Sequence, residues 1–212
     1  MRKSYLIVSV IILFSFAVGA YFYPQLPEKM ASHWNAQGEV DDYMSKFWGT
    51  FLTPVILLTM FLLFILIPKI DPLKENIEKF RKYFDAFIVL ISVFLFYLFL
   101  LVIIWNLGKT FNFTVFLVPA FGILFYYAGI LVENAKRNWF VGIRTPWTLA
   151  NETVWDKTHQ LGGKLFKIAA LISFLGIIFS KYAIFFVLIP IISVSLYTIL
   201  YSYWQYQKTE RK

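Results

Sequence analysis

Six apolar runs decide what this chain can become. They cover residues 5–23, 47–67, 84–105, 113–132, 165–179 and 182–203, and most approach the ~20 residues needed to cross a hydrocarbon core. Lipid offers the backbone no hydrogen-bond partner, so such runs must close their own hydrogen bonds as helices. The composition agrees: 59% of residues are hydrophobic and 15% charged, against the ~45–50% apolar share of soluble domains. The sequence therefore predicts an all-α, polytopic, multi-pass protein of the cell membrane with six transmembrane helices. Residues 1–67 supply two spans and an outer loop, and residues 68–212 supply four spans and a second polar loop, together one membrane domain.

The first run follows Arg2 and Lys3 and contains Val18-Gly19-Ala20, which has the look of a cleavage site. It is longer than the roughly 7–15 apolar residues of a signal sequence and reads as a retained span. Only Ser180 and Lys181 separate the fifth run from the sixth, which predicts a tight helical hairpin.

Orientation follows from the basic residues. Sixteen of the 20 Lys and Arg, among them Arg2, Lys74, Arg81, Arg137, Arg144, Lys164, Lys208 and Lys212, fall on one side of the spans; Lys29, Lys46, Lys109 and Lys181 fall on the other. This bias predicts an N-in/C-in topology, with the first loop outside and residues 138–164 in the cytoplasm. It also accounts for the net charge of +8 through lipid and topology, so no direct nucleic-acid contact is expected. The absence of cysteine excludes disulfides, thiolate nucleophiles and Cys-ligated metals.

No charged residue stands near the middle of a run, which argues against ion-coupled transport. Pro54, Pro119 and Pro190 leave open a small-solute or peptide transporter built on broken helices. Gly122, Ala128 and Gly129 favour close helix contact. Residues 68–83 alternate in charge, and Ile77, Phe80 and Phe84 at i, i+3 and i+7 predict a helix on the inner membrane surface or an extension of the third span.

Two polar segments remain. In the outer loop, Pro24 and Pro27 stop the first helix, His33-Trp34-Asn35 follows, Gly38 supplies a turn, and Glu39, Asp41 and Asp42 make it acidic. The expected structure is a loop folded by hydrogen bonds, with Trp34 on the membrane surface; one histidine among unspaced acids does not specify a metal. In the inner segment, Gly142 and Pro146 predict irregular backbone, and Arg144 offers a fork of donors for a carboxylate or phosphate, with Asp156 or Glu133 as candidate partners. Asn151 suits the start of a helix that Gly162-Gly163 would end or bend. On that helix Glu152, Asp156 and His159 share one face. Those are ingredients of a membrane-interface enzyme in which Arg144 holds a lipid phosphate, but no nucleophile, HExxH, P-loop or second histidine accompanies them. No catalytic residue, metal or cofactor is assigned. Trp139, Trp147 and Trp155 suit a membrane interface.

Two stretches, LPEKMASHWNAQGEVDDY and RNWFVGIRTPWTLANETVWDKTHQLGGKLF, resemble the SdpI-type family of membrane immunity proteins, with the Gly142–Leu149 core the most specific part. The resemblance implies a membrane immunity or signalling protein that acts by binding. Its partners would be a toxin peptide arriving from outside and a cytoplasmic winged-helix repressor held at the membrane. It places candidate contacts at His33, Trp34, Asn35, Gly38, Asp41 and Asp42 on the outer side. On the inner side it places them at Asn138, Gly142, Arg144, Thr145, Pro146, Trp147, Thr148, Trp155, Asp156, Thr158 and His159. Oligomeric state is unspecified.

Overall fold

A computed structural model describes residues 2–211; Lys212, counted above among the basic residues, lies outside them. Helix α1 (Lys3–Phe22) leads through a 3₁₀ turn into an antiparallel hairpin of β1 (Lys29–Trp34) and β2 (Val40–Ser45). Then come α2 (Lys46–Ile70), the short α3 (Lys74–Lys79), α4 (Arg81–Asn106) and α5 (Phe113–Asn134). The chain closes with α6 (Pro146–Ala150), α7 (Glu152–Ser173), α8 (Leu175–Ile178) and α9 (Ala183–Glu210).

Six helical segments are long and apolar enough to cross a membrane. Leu13, Ile178 and Leu200 are each more than two-thirds exposed, a surface that only lipid covers without cost. The protein is an all-α, multi-pass membrane protein, with the hairpin as its only β structure among the described residues.

Several expectations change on folding. The outer loop is a β-hairpin. The inner helix does not stop at Gly162-Gly163: α7 runs through both, because the glycines are packing sites. A Cβ on Gly163 would stand 2.7 Å from the Gly129 carbonyl oxygen, so the missing side chains let α5 and α7 touch backbone to backbone. Beside this crossing Lys167 Nζ meets Glu133 Oε2 at 2.7 Å, which takes Glu133 away from Arg144. The helices also continue through Pro54, Pro119 and Pro190, which removes the broken helices on which the transporter alternative rested.

The segment after α2 does not lie on lipid. Backbone at Phe80 leaves helical geometry between α3 and α4, and Ile77, Phe80 and Phe84 turn inward against Val8, Leu57, Phe61, Ile88 and Trp155. Arg81 is buried with them. Its guanidinium donates to Asp85 at 2.7 Å, Glu78 at 3.1 Å and the Tyr5 hydroxyl at 2.5 Å, and Arg2 closes the network on Glu78 and Asp85. A charge so far out of water is tolerable only when its donors are filled.

Candidate functional site

The polar segments assemble at opposite ends of the bundle, so His33 and His159 cannot act on one ligand. At the hairpin end, Asn35 builds the turn. Its side-chain oxygen accepts from the backbone N–H of Gln37 at 2.9 Å and Glu39 at 3.0 Å, while its own N–H donates to the Glu39 carbonyl at 2.8 Å. Gly38 closes the turn at φ +82°, in the left-handed region where a Cβ is penalised, and its Cα packs against Asn112.

The turn is held down from the other half of the chain. Asn106 grips both polar atoms of Ala31, accepting its N–H at 2.8 Å and donating to its carbonyl at 3.1 Å. Asn112 donates to the Gln37 carbonyl at 3.1 Å while capping α5. Trp34 stacks on Phe113 with ring centroids 3.8 Å apart and meets Trp105 edge-on, a contact with protein where the sequence suggested the membrane surface. Asn106 and Asn112 carry no sequence signal of this role, since their targets lie 75 residues away.

Asn106 holds β1 at Ala31 and β1 is the more buried strand, so the open side of the hairpin is β2. His33, Asp41, Asp42 and Tyr43 are exposed or nearly so, and His33 Nδ1 lies 2.5 Å from Asp41 Oδ1. That pair is a surface contact. Asp42 caps the Tyr43 N–H at 2.7 Å.

At the opposite end, most candidate residues build the loop. Asn138 is fully buried and saturated: its oxygen accepts from Phe140 at 2.8 Å and Val141 at 2.6 Å, and its amide donates to the carbonyls of Lys136 at 2.7 Å and Val141 at 2.8 Å. Thr145 and Thr148 form a capping box around Pro146 at the start of α6, and Thr145 Oγ1 bonds Ser202 of α9 at 2.9 Å. Trp155 is buried and donates to the Ala135 carbonyl at 2.8 Å. Thr158 is buried beside it.

His159 is spoken for by the backbone. Nδ1 donates to the Trp155 carbonyl at 2.8 Å, Nε2 accepts the Ile143 N–H at 3.0 Å, and the ring stacks on Trp155 at 3.9 Å. Accepting at Nε2 fixes the neutral Nδ1–H tautomer. The shared face expected for Glu152, Asp156 and His159 therefore does not form a site: Glu152 is exposed, Asp156 half-buried and His159 buried under the loop. Gly142, at φ +116°, passes so close over the imidazole that any side chain would collide with it. Among the described residues no three of His, Asp and Glu converge to hold a metal ion.

Between Asn138 and Thr148 the residues that face outward are Trp139, Arg144 and Pro146, with Trp147 half-covered against Tyr203. Arg144 pairs with neither Asp156 nor Glu133; its Nη1 donates to the Trp139 carbonyl at 2.8 Å. The loop is anchored by Asp71, which sequence reasoning passed over. Buried at 2% exposure, it accepts from Leu73 N–H at 2.6 Å and Trp139 N–H at 2.9 Å. Asn76 adds a bond to the Arg137 carbonyl at 2.9 Å. The Asp71-Pro72 pair that starts this turn was the available signal.

Comparison with known proteins picks out the same two regions. A domain of unknown function (DUF1648) matches residues 10–58, which hold the hairpin, and the SdpI/YfhL protein family matches residues 134–202, from the foot of the loop to the serine that Thr145 contacts. The immunity protein SdpI of Bacillus subtilis (strain 168) is 27% identical over 207 residues, covering 97% of each chain. No solved structure matches the chain.

Proposed function

This chain belongs to the SdpI-type family of multi-pass cell-membrane immunity proteins, and we propose that it confers resistance to a membrane-active toxin peptide by binding it, without catalysis. The observation that carries this reading is the hairpin. It is a preformed platform, clamped by Asn106 and Asn112, whose exposed strand β2 displays Asp41, Asp42 and Tyr43, with His33 exposed beside them on β1. A rigid surface loses little entropy on binding, and the basic-residue bias supports an outward position for this end, the side from which a toxin would arrive. The two histidines offer no general acid–base pair: one lies at each end, and His159 is locked between backbone groups.

A second face at the end carrying the termini would hold a cytoplasmic repressor. Trp139, more than half exposed, and Arg144 project there from a loop held by the bonds of Asn138, Thr145 and Thr148. Aromatic and arginine side chains of this kind anchor protein interfaces.

The test is survival of a toxin-sensitive host expressing wild type, Asp41→Asn with Asp42→Asn, His33→Ala, or Arg144→Ala, each at matched membrane levels. Protection by wild type that is lost in the hairpin variants supports binding at the outer face. A well-expressed wild type that gives no protection refutes the proposal. Loss of a co-purified cytoplasmic partner in Arg144→Ala, with protection intact, assigns the second face separately.

A further inference from the structure

Arg144 opens onto a cleft of about 520 Å³ that no part of the toxin reading uses. Its walls are the loop residues Arg144, Thr145 and Trp147 on one side and Phe166, Ser195 and Ile199 of α7 and α9 on the other. The bond between Thr145 and Ser202 fixes the loop wall to α9, so the cleft is part of the folded protein.

Two features define what fits it. Among the described residues Arg144 is the one cation on the walls, it has no carboxylate partner, and one of its five N–H donors is engaged, by Trp139. A guanidinium with free donors in a fork matches phosphate. The cleft also has depth along the membrane normal. Trp147 stands on its wall beside Arg144 and packs against Tyr203 of α9, as aromatic residues do at headgroup level. Ser195 lies seven residues along α9 from Ser202, about 10 Å at helical rise, toward the apolar middle of the span. On this stretch of α9 Ile192, Leu196, Ile199 and Leu200 are exposed, so the cleft is flanked by lipid-facing surface. A soluble anion would fill the Arg144 end and leave the apolar end empty.

We infer that this cleft is a binding site for one anionic phospholipid of the leaflet nearest the termini, its phosphate on Arg144 and the start of an acyl chain along Ile199 and Ser195. The site is independent of the toxin reading but shares Arg144 with the proposed repressor face, from which it is distinguished by reading lipid retention rather than partner capture, and the basic-residue bias makes that leaflet the cytoplasmic one.

The test equilibrates the detergent-solubilised full chain with equal amounts of phosphatidylglycerol and phosphatidylcholine, washes it, and quantifies retained lipid by mass spectrometry. Wild type is expected to enrich phosphatidylglycerol about tenfold or more, the scale of one charge-assisted pair. Arg144→Gln should abolish the enrichment and Arg144→Lys keep part of it. Ser195→Phe, which fills the deep end and leaves Arg144 untouched, should lower the total retained. Each variant is first shown to be monodisperse and to unfold within a few degrees of wild type. Enrichment unchanged in Arg144→Gln, retention unchanged in Ser195→Phe, or no enrichment in wild type would each overturn the inference. Displacement of the lipid by an equal concentration of glycerol 3-phosphate would also overturn it, assigning the cleft to a soluble anion.

Discussion

Replacing Gly142 with alanine tests the contact on which the inner loop is built. Two costs add. At φ +116° an L-residue pays the left-handed penalty, about 1–2 kcal/mol. The new methyl also occupies the space of the His159 ring, with Trp155 Cζ2 a further 3.3 Å contact; the imidazole must move, leaving the partly buried Ile143 N–H unpaired at about 1–3 kcal/mol. The sum, roughly 2–5 kcal/mol, corresponds to a fall in Tm of about 5–15 °C for a chain of this length, measured by tryptophan fluorescence in detergent. Gly108 is the control: it stands at φ +91° with nothing within 4 Å of where a Cβ would sit, so Gly108→Ala carries the backbone cost alone. The reasoning also predicts coupling. In a His159→Ala background the collision partner is gone, and Gly142→Ala should cost no more than Gly108→Ala. Equal costs for Gly142→Ala and Gly108→Ala in the wild-type background, or an undiminished Gly142→Ala cost when His159 is absent, would refute it.

Three further outcomes follow from named contacts. Asn106→Ala removes both bonds to Ala31; amide exchange in β1 should accelerate by one to two orders of magnitude, matching about 1–3 kcal/mol, while α7 is unaffected. For the Glu133–Lys167 pair, with both side chains about one-quarter exposed, Glu133→Gln with Lys167→Met should cost less than the sum of the single changes by about 1–2 kcal/mol in a thermal-unfolding cycle, because each single change strands a charge. His33→Ala should leave Tm within about 2 °C, since the exposed contact with Asp41 has the ~0–1 kcal/mol worth of a surface pair; a lost phenotype then reports on binding.

Hydropathy alone determined the six spans, because a backbone in lipid has no alternative to helix, and it separated the two polar segments that carry the family likeness. What those segments become was settled in three dimensions. The hairpin escaped notice because β1 and β2 are bulged at His33, which spoils the two-residue alternation a strand would show, and because residues 75 positions away hold it. Helical spacing correctly aligned Glu152, Asp156 and His159 along α7, but spacing gives direction around an axis and not depth beneath a neighbour. The loop covers the stripe only at His159. Gly162-Gly163 was ambiguous for a similar reason: absence of a side chain serves a helix end and a close helix crossing equally well, and only the arrival of α5 at Gly129 decides between them. Sequence fixes what each residue can do within its own segment. Burial, partner choice and the closure of the Arg144 cleft depend on which segments meet, and that is a property of the packed bundle.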